Sequence, residues 1–144
     1  MAKKILIING PNLNMLGTRE PGIYGTTSLD DIRVQCAVIA RSQNLDMDFL
    51  QSNHEGELIE WIQNAPKKYA GIIINPAACS HTSIGIADAL SAVGLPVIEV
   101  HISNIFARET FRHHSYVSPV ASGVICGLGP TGYTHAINAI GELI

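Results

Sequence analysis

Two polar residues inside an apolar segment have the spacing needed for acid–base chemistry. Glu99 and His101 stand two residues apart in the run VIEVH, so in a strand their side chains lie on the same face. A carboxylate in such an apolar segment needs a partner, and one interpretation is a buried glutamate paired with a backbone donor or an arginine. We favour the alternative, in which Glu99 orients and charges His101 for acid catalysis.

A second set of reactive side chains lies in the long segment from residue 10 to about residue 27. Arg19 and Tyr24 are the two groups in it able to act on a substrate, and three glycines would let the segment move. A loop tyrosine is more often a packing residue than a base. However, a nearby guanidinium can lower the pKa of a phenol from about 10, and a shift of about two units takes roughly 2.7 kcal/mol. We therefore expect a lid that carries a base.

Positive charge follows the Glu99/His101 segment. Arg108 and Arg112 are four residues apart and would share one face if the segment is helical. Backbone amides at Ser103 and the next residue are candidates for binding a carboxylate. A solvated charged face is one interpretation. We prefer a small anionic substrate, because Arg19 is expected at the same rim.

Alternating apolar patterns predict the elements that position these residues. Near-continuous aliphatic runs predict buried parallel strands at 5–8, 71–75, 96–101 and 123–126, with a weaker candidate at 47–51. Helical spacing of apolar residues occurs at 29–39, where Ser28 and Asp31 have capping-box spacing, and at 58–65, 83–93 and 133–144. The pattern predicts one domain, residues 1–144, with a three-layer α/β fold and the flavodoxin-like strand order 2-1-3-4-5.

This topology predicts where a site would lie. Ligands of such folds bind at the carboxyl ends of the strands. Asn12, Asn75 and His101 follow or end the first, third and fourth predicted strands, so we expect them to converge.

Composition argues against several classes of protein. Nine Lys and Arg against twelve Asp and Glu give a net charge of −3, which disfavours nucleic-acid binding. Charged residues make up only 15% of the chain, which favours burial of surface between copies. Three widely spaced cysteines predict reduced, buried thiols. No apolar run is long enough for a signal peptide or a membrane span, so we expect a cytoplasmic protein without a membrane partner.

Two motifs are discounted. The run GLGPTG at 127–132 fits the dinucleotide-binding pattern G-x-G-x-x-G, but the chain ends before the carboxylate expected about 20 residues later. We interpret it as a tight turn between a strand and a helix. The six histidines include no H-E-x-x-H pair, so no metal is expected.

The whole pattern resembles a known family. The blocks ILIINGPNLNMLGTREPGIYG, NP followed by SHTS, EVHISN, and FR followed by HHSYVSPVASGVI closely resemble type II 3-dehydroquinate dehydratases over nearly the whole chain. The resemblance implies a flavodoxin-like fold, a homododecamer of trimers, and anti elimination of water from 3-dehydroquinate through an enolate to give 3-dehydroshikimate. It implies no cofactor. The expected pathway is shikimate and aromatic amino acid biosynthesis, with breakdown of quinate left open.

The resemblance also implies residue roles. Tyr24 would be the base, with Arg19 and Arg108 lowering its pKa, and Asn12 would hold a water against the enolate oxygen. His101, oriented by Glu99, would protonate the departing hydroxyl. The implied substrate-binding groups are Asn75, Ser103 and the Ile102 backbone for the carboxylate, His81 and Arg112 for the ring hydroxyls, and Asp88 reaching the site of an adjacent subunit.

The sequence departs from the family pattern at four positions. Ala77 stands where glycine is expected, and Cys79, Ala87 and Phe106 also differ from the usual residues. Ala77 would strain its turn if that position needs a positive φ.

The alternative to an enzyme is a flavodoxin-like module that binds flavin or a protein partner without catalysis.

Overall fold

Five parallel strands form the centre of the molecule. In the computed structural model, which describes residues 2–18, 20, 22 and 25–144, one sheet has the order β2-β1-β3-β4-β5. The strands are β1 (Lys3–Asn9), β2 (Leu45–Gln51), β3 (Gly71–Asn75), β4 (Val97–His101) and β5 (Gly123–Cys126). The predicted fold class and strand order are confirmed, and the weaker candidate strand is β2, two residues longer than expected.

Four α-helices are found in the described part of the chain: α1 (Leu29–Ser42), α2 (Glu55–Asn64), α3 (Ile84–Val93) and α4 (Thr131–Gly141). The predicted capping box begins α1, because Ser28 Oγ accepts a 3.1 Å bond from the Asp31 amide and Asp31 Oδ2 accepts a 3.0 Å bond from the Ser28 amide. Gly94, with φ of 67°, ends α3. None of these helices is both long and apolar enough to cross a bilayer.

The core has two layers because β1, β3 and β4 bury side chains on both faces. Ile5 and Ile7 pack against α1 and α4, while Leu6 and Ile8 point to the other face, against α2 and α3. Each such side chain contributes roughly 1.5–3 kcal/mol by leaving water. The carboxyl ends of these strands are therefore held at fixed positions.

The cysteines differ in burial, which corrects the expectation of three buried thiols. All three are free, but only Cys36, on α1, is buried, and burial raises its pKa to about 12. Cys79 lies in the 3-10 helix Ala77–His81 after β3, Cys126 ends the edge strand β5, and both are partly exposed.

Candidate active site

A pocket opens at the carboxyl edge of the sheet, beside the ends of β1, β3 and β4. It is lined by Pro11, Leu13, Asn75, Ala77, His81, His101, Ile102, Ser103, Ile105, Arg108 and Arg112. Seven of the residues expected in the site from the sequence are among these. The topology rule therefore predicted the edge of the sheet at which this pocket lies.

Glu99 and His101 form a buried pair at this pocket. Glu99 is fully buried, and its Oε2 lies 2.5 Å from His101 Nε2. Ser115 Oγ donates to the same carboxylate oxygen at 2.8 Å, and Ser118 Oγ donates to Oε1 at 2.6 Å. Although burial raises the pKa of Glu99, the bonds from His101 and the two serines outweigh it and hold this pKa below its usual value.

The ionised carboxylate determines how His101 can react. A carboxylate only accepts hydrogen bonds, so His101 Nε2 carries its proton toward Glu99. The Nδ1 atom is then the nitrogen that can exchange a proton with a ligand. The sequence predicted this pairing from the two-residue spacing. It missed Ser115 and Ser118, for which the only signal was the serine-containing run that follows His114.

A chain of hydrogen bonds beneath the pocket fixes Asn75. Asn9 and Asn75 are neighbours across β1 and β3. Asn9 Nδ2 donates to the Leu50 carbonyl, and Asn9 Oδ1 accepts a 2.7 Å bond from the Tyr133 hydroxyl. That hydroxyl accepts a 2.8 Å bond from Asn75 Nδ2, and Asn75 Oδ1 accepts from the Ala77 amide. The Asn75 amide is thereby oriented with one N–H left for a ligand.

Two arginines bring positive charge to the rim. Arg108 Nη1 donates to Ser103 Oγ at 3.3 Å, and Arg112 Nε donates to Glu109 Oε2 at 2.8 Å. The segment forms two separate 3-10 helices, Ile105–Ala107 and Thr110–Arg112, because Arg108 between them has an extended backbone. The condition for a shared helical face is therefore not met, although both arginines line the same pocket.

His81 lies against the Glu99/His101 pair. Its ring stacks on that of His101, with centroids 6.2 Å apart and an angle of 17° between the planes. Burial is the largest influence on His81 and lowers its pKa below the usual value. A neutral imidazole is therefore favoured beside the pocket.

The first βα turn carries Asn12 in a left-handed conformation. Asn12 has φ of 70°, its amide donates to Asn53 Oδ1 at 2.9 Å, and it is exposed between the lining residues Pro11 and Leu13. Asn53, after β2, therefore fixes this turn, and the sequence gave no indication of that contact.

Three other predicted residues are not placed in this pocket. Arg19 and Tyr24 lie outside the described residues, so the predicted base and lid stay predictions. Asp88 is exposed on α3 and is not among the described residues that line the pocket. Its predicted role in the site of an adjacent subunit is not tested by a single chain.

The described residues contain no group of three or more His, Cys, Asp or Glu side chains that could hold a metal ion.

The fold and the pocket define an α/β protein with a polar, positively rimmed site at the switch point of a flavodoxin-like sheet. Residues 3–141 match the family model described as dehydroquinase class II. The chain belongs to this family, and the predicted resemblance and class of enzyme are confirmed.

Individual relatives agree with this assignment. The 3-dehydroquinate dehydratase 2 of Pseudomonas aeruginosa is 55% identical over 142 residues, covering 99% of this chain and 96% of that protein. The 3-dehydroquinate dehydratase of Brucella canis is 55% identical over 143 residues, covering 99% and 91%. The crystal structure of type II dehydroquinase from Propionibacterium acnes has a TM-score of 0.94 at 48% identity, covering 99% and 98% of the two chains. These comparisons favour the enzyme over the non-catalytic alternative.

Proposed function

We propose that this chain converts 3-dehydroquinate to 3-dehydroshikimate by anti elimination of water, without a cofactor. The observation that carries the proposal is the buried Glu99/His101 pair, which opens into a pocket with two arginines in a chain of the class II dehydroquinase family. The carboxylate of the proposed substrate matches the positive rim, and its departing hydroxyl needs an acid such as His101.

The proposed reaction separates proton removal from loss of water. Tyr24, as a phenolate stabilised by Arg19 and assisted by Arg108, takes a proton from the carbon beside the ketone. The electron pair moves into an enolate, whose oxygen is stabilised by a water held by Asn12. When the ketone re-forms, the carbon–oxygen bond to the hydroxyl breaks, and His101 donates the proton that makes the leaving group water.

Glu99 supports this step by its charge. The ionised carboxylate accepts the hydrogen bond from His101 Nε2, which fixes the ring and leaves Nδ1 for the ligand, and its negative charge lies beside the ring that gives up the proton. Ser115 and Ser118 keep the carboxylate ionised and oriented.

The remaining pocket groups are assigned to binding. Asn75, Ser103 and the Ile102 backbone would hold the substrate carboxylate, and His81 and Arg112 would hold the ring hydroxyls. This division is supported by their common pocket and by the N–H of Asn75 that its partners leave for a ligand.

The proposal also includes the oligomeric state and the location of the enzyme. We place the enzyme in the cytoplasm and the shikimate pathway, as a homododecamer of trimers in which Asp88 serves an adjacent subunit. Val38 on α1 is 60% exposed and Phe111 in the 3-10 helix Thr110–Arg112 is 67% exposed, which supports burial of surface between copies. Light scattering after chromatography measures the assembly. A fully active monomer would contradict the role of Asp88.

The test of function is turnover of 3-dehydroquinate by the purified protein, followed by the ultraviolet absorbance of the conjugated product. We expect turnover by the wild type and a loss of about 10²–10⁴-fold in kcat for Tyr24→Phe and for His101→Ala. Tyr69→Phe is the matched control, since the Tyr69 hydroxyl bonds to Asp48 far from the pocket. Absence of turnover by the wild type refutes the proposed function, and undiminished activity of Tyr24→Phe refutes the base.

A further inference from the structure

The glycine-rich run after β5 uses its amides inside the protein. The Gly127 amide donates to the His101 carbonyl at 3.3 Å, and the Gly129 amide donates to the Ile102 carbonyl at 3.0 Å. These amides therefore do not cradle a phosphate, and the run forms the tight turn expected from the sequence before α4. Instead, the turn fixes the position of the backbone at the end of β4, which borders the pocket.

This anchoring sets the direction of two other amides. In a trans peptide unit the carbonyl and the N–H point in opposite directions, and the described residues contain no cis peptide. With the His101 and Ile102 carbonyls turned toward the glycines, the amides of Ile102 and Ser103 point away from them. In the described ranges neither amide donates to another residue, and both residues line the pocket.

Two successive amides that point to the same side do not occur in a regular strand. In a strand, successive carbonyls point to opposite sides, whereas here both accept from a single turn. Successive N–H groups that face one way form a concave site for an anion. Arg108 adds positive charge there, because its Nη1 lies 3.3 Å from Ser103 Oγ.

The conformation of the turn requires glycine. Gly127 and Gly129 have φ of 85° and 65°, where other residues are strained. A Cβ on Gly127 would lie 3.1 Å from Asn104 Cβ, and the Asn104 side chain already accepts a bond from the Phe106 amide. At Gly129 no atom of another described residue, its chain neighbours apart, lies within 4 Å of an added Cβ, so among these residues a substitution acts through φ.

We propose that the turn 127–129 is a positioning element for carboxylate binding. Gly127 and Gly129 hold the His101 and Ile102 carbonyls and so direct the Ile102 and Ser103 amides at the ligand's carboxylate. The glycines act through this backbone and do not touch the ligand. The identity of the carboxylate as that of 3-dehydroquinate rests on the proposed function.

Gly94 provides a matched control. Its φ is 67°, the described part of the chain places no atom other than those of its neighbours within 4 Å of an added Cβ, and it ends α3 away from the pocket. Gly94→Ala and Gly129→Ala therefore introduce the same backbone strain. We expect similar decreases in Tm for both, but a KM for 3-dehydroquinate raised about tenfold only in Gly129→Ala, with kcat within about twofold of wild type. Gly127→Ala, which also displaces Asn104, should raise KM further.

Binding of 3-dehydroshikimate and of its methyl ester, each measured by calorimetry, distinguishes positioning of the carboxylate from a general distortion of the pocket. Gly129→Ala should weaken binding of the acid about tenfold and leave binding of the uncharged ester at the wild-type value. Equal KM values for Gly129→Ala and Gly94→Ala would overturn the inference, as would equal losses for acid and ester.

The binding measurement also distinguishes this inference from the proposed function. A wild type that binds 3-dehydroshikimate but does not convert 3-dehydroquinate refutes the function alone, and the glycine variants still decide the role of the turn. A wild type that does neither overturns both.

Discussion

The Nδ1 atom of His81 lies 2.8 Å from the carbonyl oxygen of His114. A carbonyl oxygen can only accept, so Nδ1 carries the proton of the ring. With its pKa lowered by burial, His81 is neutral near pH 7, and its Nε2 is a hydrogen-bond acceptor. A neutral imidazole fixed in this tautomer therefore favours a ligand whose hydroxyl donates a hydrogen bond to Nε2.

This hydrogen bond predicts how the affinity for the ligand depends on pH and on the imidazole ring of His81. His81→Asn can keep the donor to His114 but has no atom at the position of Nε2, so we expect KM to rise about tenfold with Tm near wild type. Because the pKa is lowered, binding of 3-dehydroshikimate in the wild type should be constant above pH 6.5 and weaken as protonation of His81 begins at lower pH. This component of the titration should vanish in His81→Asn. His135→Asn, exposed on α4, is the control, and an unchanged KM in His81→Asn would count against the assignment.

The two serines on Glu99 should differ in their effect on stability. Ser118→Ala removes one donor from a fully buried carboxylate, at a cost of about 1–3 kcal/mol. Ser115→Ala should cost more, because its hydroxyl also accepts bonds from the amides of Val117 and Ser118. Both variants should lower kcat, about tenfold, since the partner of His101 is less fixed. Urea unfolding and turnover measure the two effects. Ser122→Ala, whose hydroxyl bonds to the Val97 amide at the start of β4, is the control for a lost serine contact.

The sequence predicted the fully buried central strands better than it predicted the edge strand β2. Gly71–Asn75 is buried at every position, so an unbroken apolar run identifies it. The edge strand β2 is interrupted by Asp46 and Asp48, which weakened its signal. Asp48 is held by ion pairs with Lys4 and Lys68, each at 3.1 Å, and these long-range partners are not visible in local patterns.

The site shows the same division between local and distant contacts. Glu99 and His101 were paired correctly because strand periodicity alone places them on one face. The bond from Ser115 to Glu99 depends on where the chain returns after the two 3-10 helices, which spacing does not determine. Tyr133 was assigned to an apolar helix stripe, and this is correct for its buried ring, but the direction of its hydroxyl depends on the packing of α4 against β1 and β3.

Ala77 should be a site of stored strain. It stands where the family pattern has glycine, and its φ of 53° is in the left-handed region. Ala77→Gly should raise the free energy of unfolding by about 0.5–1 kcal/mol, the relief of strain exceeding the greater flexibility of glycine in the unfolded chain. The matching gain in Tm is roughly 2–4 °C per kcal/mol, measured by calorimetry. Ala78→Gly, in the same 3-10 helix without a positive φ, should be destabilising, and equal effects of the two substitutions would contradict the strain.

Tyr133→Phe tests whether the buried hydrogen-bond chain serves the pocket. The substitution leaves Asn9 Oδ1 and one N–H of Asn75 without their partner in a fully buried position, so stability should fall by about 1–3 kcal/mol. Freed from this bond, the Asn75 amide can rotate, and KM for 3-dehydroquinate should rise several-fold while kcat changes little. Tyr69→Phe removes another tyrosine hydroxyl, the one bonded to Asp48 at the far side of the sheet, and should leave KM unchanged. Because a purely structural role for Tyr133 would lower stability without moving KM, steady-state kinetics at a temperature well below both values of Tm distinguishes the two roles.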